Sequence, residues 1–291
     1  MKGAPITLDL QPTIDAALAR LREGSGAHCL SDFAFSNLYL FRAAHEYAYL
    51  PGEWPCISGR AYDGTRHLMP LFDLATAPVD DLRALLQGHD CFYPVAGSVA
   101  ARLDRRLFDL SESRDDADYL YRATDFAEYP GRALAKKRNQ VCQFLVAHTP
   151  ASVPFGADQA EAALAVLQGW MALKGKRRGE ADEAACTEAI AHAARFALEG
   201  FVHFAEGAPI GFLLAQEMQP GVFVMRFAKG LDSHVGIYPY MFQHFCRAFA
   251  RPVTWLNFEQ DMGLAGFRRS KVSYQPAELL PKWRVRLRNS C

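Results

Sequence analysis

Between Leu256 and Pro276 the chain reads LNFEQDMGLAGFRRSKVSYQP, which packs Asn257, Glu259, Gln260, Asp261, Arg268, Arg269 and Lys271 into one short stretch. If the stretch opens as a strand, Asn257 and Glu259 point to the same face. A carboxylate beside an amide, faced by several cations, can take a proton from an attacking amine or hydroxyl while the cations stabilise the oxyanion that develops. The same residue types also describe a solvated loop whose surface ion pairs are each worth little. Spacing alone does not separate the two readings.

Other residues with chemical potential are more scattered. Lys136, Lys137 and Arg138, next to Asn139, form a basic triplet that can meet the phosphates of a polyanion. A charge triplet on a helix is more often a solvated face. The loop Lys174–Arg178 is a second basic patch. The seven cysteines, Cys29, Cys56, Cys91, Cys142, Cys186, Cys246 and Cys291, lie singly with no metal-ligand spacing, so reduced thiols are expected. The nine histidines include no H-x-x-x-H pair, and no metal is expected.

Composition bounds what these residues can serve. At 291 residues with 50% hydrophobic content, the chain can bury one large core or two ordinary ones. Its 32 basic and 32 acidic side chains cancel, so a nucleic acid or an anionic membrane must be met by a local patch. A peripheral membrane contact stays open on that basis. No apolar run approaches the roughly 18 residues of a spanning helix, and the start MKGAPITLDL lacks a signal pattern, so a cytoplasmic protein is expected.

The elements that must position these groups alternate strands with amphipathic helices. In the first half, a helix over Pro12–Arg22 sets Ile14, Leu18 and Leu21 on one stripe. Ser31 or Asp32 is placed to cap a helix over Phe33–Ala44. Trp54–Tyr62 and His67–Phe72 flank Asp63-Gly64 as a hairpin. Helices near Val79–Leu86 and Ala100–Leu107 enclose a strand at Cys91–Val95. Tyr119 and Tyr121 read as alternating strand residues that pack, and the basic triplet rides on a helix over Arg132–Leu145.

The turn-rich TPASVPFG marks the best boundary, which divides the chain into lobes 1–150 and 151–291. Two helices, Asp158–Leu173 and Glu183–Leu198, then precede strands at Phe201–Glu206, Pro209–Glu217 and Val222–Ala228. A helix from Gly236 carries Tyr238, Met241, Phe242, Phe245 and Phe249 on one apolar face. Strands at Val253–Glu259 and Leu280–Arg288 close the chain.

That order of elements is the order of a GNAT acyltransferase domain, and it occurs about twice. An α/β tandem GNAT fold is therefore expected, with the second lobe carrying the reaction site. In such a domain the helix after the third meander strand aims its free N–H groups at the acyl donor. Here that turn is Lys229–Tyr238. Aligned on Gly236, Ser233 and Tyr238 depart from the Gln/Arg-x-x-Gly-x-Gly/Ala pattern of a coenzyme A-binding turn. Gly236 can equally be a residue that ends a loop and starts a helix.

The strings DYLYRATDFAEYPGRALAKKRNQVCQF, RFAKGLDSHVGIY and LNFEQDMGLAGFRRSKVSYQP together resemble the phosphatidylglycerol lysyltransferase C-terminal domain family over roughly Leu30–Arg288. The resemblance implies a tandem GNAT, Fem-like fold. It also implies transfer of an aminoacyl group from aminoacyl-tRNA, used as co-substrate with no further cofactor, to a lipid headgroup or a small molecule. The large N-terminal membrane domain of the best-known members is absent from this sequence, which puts lipid as the acceptor in doubt.

Position by position, the resemblance marks Lys229, Ser233, Gly236 and Tyr238 at the donor turn and Asn257, Glu259, Asp261, Arg268 and Lys271 beyond the strand. Glu259 or Asp261 would be the general base, Arg268 and Lys271 would polarise the ester carbonyl, and Asn257 would orient the acceptor. Lys136, Lys137 and Arg138 would touch tRNA phosphates. Two other readings stand beside it: an N-acyltransferase using a coenzyme A thioester, and a non-catalytic binding protein on the same fold.

Overall fold

The last strand of the chain completes the sheet of its first unit, and that pairing decides how the molecule divides. The computed structural model describes residues 3–288. One unit comprises Met1–Asp118, Gln260–Ala265 and Leu279–Cys291; the other comprises Tyr119–Glu259 and Gly266–Glu278.

Through the first unit run β1 (Ala4–Pro5), α1 (Gln11–Arg22), α2 (Phe35–Leu40), β2 (Ala48–Leu50), β3 (Cys56–Arg60), β4 (Arg66–Pro70), α3 (Val79–Leu85), β5 (Cys91–Val95), α4 (Gly97–Ala100) and β6 (Phe108–Glu112). The second opens with β7 (Asp118–Arg122), α5 (Ala123–Glu128), α6 (Ala135–Ala147), β8 (Ala151–Pro154), α7 (Ala160–Leu173) and α8 (Glu183–Ala191). It continues through β9 (Leu198–Ala205), β10 (Ala208–Gln219), β11 (Val222–Gly230), α9 (Ile237–Ala248), β12 (Trp255–Asn257), α10 (Ala265–Val272) and β13 (Glu278–Leu280). The chain then returns as β14 (Trp283–Leu287).

Two seven-stranded mixed sheets result, ordered β1-β2-β3-β4-β5-β14-β6 and β13-β7-β12-β11-β10-β9-β8. The expected α/β class holds. The division differs from the expected break at 150/151, and strand pairing is the reason. β7 pairs antiparallel with β12, Tyr121 opposite Leu256, so the chain from Tyr119 builds the second unit. TPASVPFG contains β8, a strand whose Val153 faces Val202 of β9, and is no linker. β14 pairs with both β5 and β6, with Leu287 opposite Phe108. Composition marks turns; it does not say which edge a strand will choose.

The second unit has an aromatic core. Phe126, Phe144, Phe223 and Phe245 are all but fully buried, and each such side chain stabilises the fold by about 1.5–3 kcal/mol. Tyr119, Tyr121 and Tyr129 belong to this core, and the hydroxyls of the last two donate to Lys271 O and Pro239 O, both at 2.8 Å. On α9, Met241, Phe242 and Phe245 are buried, with Tyr238 and Phe249 packed beside them, as the spacing predicts.

Elsewhere the structure departs from expectation. Ala100–Leu107 is mostly turn, and the segment read as a loop after Asn257 contains α10. Neither Ser31 nor Asp32 caps α2, whose N-cap is Ala34. Their side chains face a buried lysine instead. Cys29, Cys56, Cys91 and Cys186 are buried free thiols, Cys142 is exposed, and Cys291 lies outside the described residues. Among the described residues no helix is long and apolar enough to cross a membrane.

Candidate functional site

Parallel pairing of β11 with β12 sets Val224 opposite Asn257, so the nearer of the two charged residues of β11 lies beside the strand end that the sequence marks for chemistry. That residue is Arg226, with a side chain wholly removed from solvent. Its Nη1 donates to Glu259 Oε1 at 2.6 Å, and its Nε and Nη2 each lie 3.3 Å from Gln216 Oε1. Water cannot solvate a guanidinium there, so Glu259 and Gln216 must do so.

Glu259 is held at its backbone as well. Its φ of 57° lies in the left-handed region, where a side chain costs of order 1 kcal/mol or more. Asn257 Oδ1 accepts its N–H at 2.7 Å, and its carbonyl accepts from Lys271 Nζ at 3.1 Å and Tyr119 N at 3.3 Å. The Lys271 ammonium also sits 5.6 Å from the centre of the Tyr119 ring. Glu259 is thus held by two cations, Arg226 at its carboxylate and Lys271 at its backbone carbonyl, a geometry suited to hold a polar nucleophile and to meet a developing negative charge.

The residues expected from sequence divide on this geometry. Asn257, Glu259 and Lys271 come together. Asn257 is fully buried, and its Oδ1 shapes the turn at Glu259. Asp261 belongs to the first unit, where Gly263 N at 2.9 Å and Arg114 Nη1 at 3.2 Å occupy its two oxygens; a buried turn-former of this kind is poorly suited to proton transfer. Arg268 lies half-exposed on α10, one turn before Lys271. Sequence reasoning passed over Arg226 and Gln216. A cation inside the apolar run VFVMRFA was the signal, because a buried arginine demands a partner.

In the turn expected to meet the donor, the polar side chains are paired within the protein. Lys229, nearly buried, donates to both oxygens of Asp182 at 2.7 and 2.8 Å and lies 4.0 Å over the Trp170 ring. Ser233 Oγ meets His234 Nδ1 at 3.1 Å, and Tyr238 donates to Gly230 O at 3.3 Å. Gly236 has φ 96°, and a Cβ there would sit 2.3 Å from the Gln140 carbonyl oxygen. The glycine lets α9 pack on α6. Ile237, the first residue of α9, is buried, and Pro239 offers no N–H.

On α6 the triplet is not uniform. Lys136 is exposed. Arg138 donates to the carbonyls of Tyr129 and Gly131, which end the turn before its helix. Lys137 Nζ lies 3.8 Å over the Tyr274 ring, and burial, with the charge of Lys136, pushes its pKa down to about 8. Tyr274 N in turn donates to Lys271 O, so the aromatic residue under Lys137 of α6 is tied to the end of α10, a helix that also carries Arg268 and Arg269. In the Lys174–Arg178 loop, Lys174 is paired with Asp232.

The first unit has a polar core of its own. Lys282 Nζ meets Asp32 at 2.6 Å, Asp118 at 2.8 Å and Gln260 Oε1 at 3.1 Å. Burial alone would lower its pKa, but the two carboxylates outweigh burial and raise it. Asp118 also accepts from Ser31 N at 2.8 Å and Ser31 Oγ at 2.9 Å. A cavity of about 490 Å³ in this unit is lined by Arg83, His89, Asp90, Arg286 and Arg288, and by none of the residues singled out from sequence. In the second unit His148, Glu206 and His234 converge, with ligand atoms within 4.8 Å of one another.

A family model described as "Phosphatidylglycerol lysyltransferase, C-terminal" matches residues 26–286. The chain belongs to the phosphatidylglycerol lysyltransferase C-terminal family. Among solved structures, a conserved protein of unknown function from Bacteroides thetaiotaomicron aligns with TM-score 0.80 and 22% identity over 99% of this chain and 100% of that one. L-PGS from Bacillus licheniformis aligns with TM-score 0.60 and 14% identity over 100% and 95% of the two chains. For FemX the values are 0.56 and 10%, over 99% and 98%. No curated protein matches the sequence. At these identities the structural likeness speaks for fold, which is the tandem GNAT-like fold of the lysyltransferase family and of FemX.

Proposed function

We propose that this chain transfers an aminoacyl group from aminoacyl-tRNA to the amine or hydroxyl of an acceptor, a small molecule or a lipid headgroup, and that it works in the cytosol where charged tRNA is found. The observation that carries this reading is the fixed Glu259 carboxylate, paired with buried Arg226 and followed on α10 by Arg268 and Lys271. Family membership and the FemX-like fold support it. In the reaction the acceptor heteroatom bonds to the ester carbonyl carbon, the cations of α10 stabilise the oxyanion, and Glu259 relays the acceptor's proton to the departing tRNA hydroxyl. These residues ask for no cofactor. The exposed cations of α6 and α10 supply the phosphate contacts.

A coenzyme A thioester fits less well as donor, because Gly236 is spent on helix packing and Lys229 on Asp182. Charged tRNA should raise the unfolding temperature and coenzyme A should not. With charged tRNA as donor, Glu259→Gln and Lys271→Ala should each lower the transfer rate by about 100-fold or more while circular dichroism stays native. Wild-type rates in both variants, or stabilisation by coenzyme A alone, would overturn the reading.

A further inference from the structure

Three side chains far apart in sequence meet at one edge of the second unit. His148 is the C-cap of α6, its N–H bonded to Phe144 O at 2.9 Å and its ring centre 5.2 Å from that of Phe144. Glu206 occupies the turn between β9 and β10, with φ 50°. His234 lies in the loop between β11 and α9. His148 Nδ1 is 3.3 Å from Glu206 Oε1, the two imidazole centres are 4.8 Å apart, and one ligand atom from each of the three residues lies within 4.8 Å of the others.

An ion pair between His148 and Glu206 accounts for two members of this group. It leaves the second imidazole, brought against the first, without a reason. We propose that the three residues form a divalent transition-metal site for which Zn²⁺ is the fitting ion. Two imidazole nitrogens and one carboxylate are a borderline-soft donor set, whereas Ca²⁺ and Mg²⁺ call for oxygen ligands. Four-coordinate zinc with bonds of 2.0–2.2 Å has ligand atoms about 3.3 Å apart, so side-chain adjustment of roughly 1 Å closes the site. Glu206, 61% exposed, has that freedom. Ser233 Oγ at His234 Nδ1 supplies the outer hydrogen bond that metal-bound imidazoles commonly make, and leaves Nε2 as the ligand nitrogen.

A metal held there ties the end of α6 and the β9–β10 turn to the loop that leads into α9. Its first consequence is therefore to fix the start of α9. The proposal is independent of the aminoacyl donor. Spacing could not reveal the site, since its members come from three separate elements.

The test uses the full chain, freed of metal by chelation and titrated with Zn²⁺ alone in a calorimeter. One equivalent should bind with a dissociation constant of about 10 μM or tighter, and Co²⁺ in its place should give the intense visible absorption of a four-coordinate ion. His148→Ala/His234→Ala should weaken binding by 100-fold or more, and Glu206→Gln by about tenfold. Because all three side chains reach solvent, these variants should keep the native circular dichroism spectrum, and His234→Gln gives a milder check on folding. Binding no tighter than about 1 mM, or tight binding that survives in the double histidine variant, would overturn the proposal.

Discussion

Lys137 is a lysine whose chemistry its neighbours have altered. Burial and Lys136 lower its pKa to about 8, while the Tyr274 ring beneath it favours the cation. Its phosphate affinity should therefore fall as pH rises through about 8, a window in which an ordinary lysine, near 10.5, stays charged. The stability sign runs the other way. The unfolded chain holds this proton more tightly, so Lys137 adds stability as pH climbs from about 8 toward 10.5. Filter binding of tRNA between pH 7 and 9 should weaken several-fold for the native chain and stay level in Lys137→Arg; matching profiles would rule this out. The residues of the candidate site were legible unevenly. Glu259 and Lys271 stood out by type and spacing, whereas the pairing of Arg226 with Glu259 required knowing that β11 lies beside β12, a fact that exists only after the sheet forms.

Elements explain the donor turn better than its motif does. α9 was legible from its apolar stripe, and its start at Gly236 was expected, but the purpose of the glycine was not. The carbonyl of Gln140 stands where a Cβ would go, so contact between α6 and α9 by itself demands a glycine there. Gly236→Ala should cost about 2 kcal/mol or more, from the positive φ and from forced separation of the helices, read as a lower urea midpoint. A stability equal to the native chain would refute this packing role. α10 escaped the sequence reading because LAGFRRSK carries little apolar periodicity; no residue of α10 is buried, so burial could not have written a pattern into it.

At the scale of the molecule, the α/β class and most elements were readable, and the division into units was not. Apolar patterning says that a segment is a strand, while its partner is set by surfaces many residues away. β14 is the case in point, since its place between β5 and β6 is filled from the far end of the chain. Ending the chain at Leu280 should remove both that strand and Lys282. Asp32 and Asp118 would then lack their counter-charge, a loss of about 3–5 kcal/mol before any strand pairing is counted. Limited proteolysis of the truncated chain should cut quickly within residues 3–118 and slowly within 119–259. Equal protection of both would show that β14 is dispensable.

The same strand sets an order of events at the ribosome. Chains usually fold from the N-terminus as they emerge. Here the segment up to Asp118 must wait with a gap in its sheet and without the lysine that pairs with Asp32 and Asp118, while the segment that follows holds nearly all it needs. The first unit can close its sheet only after β14 and Lys282 have left the exit tunnel. Synthesis of β14 thereby becomes a condition for the first unit's fold: a chain that stops before Trp283 leaves the sheet open between β5 and β6.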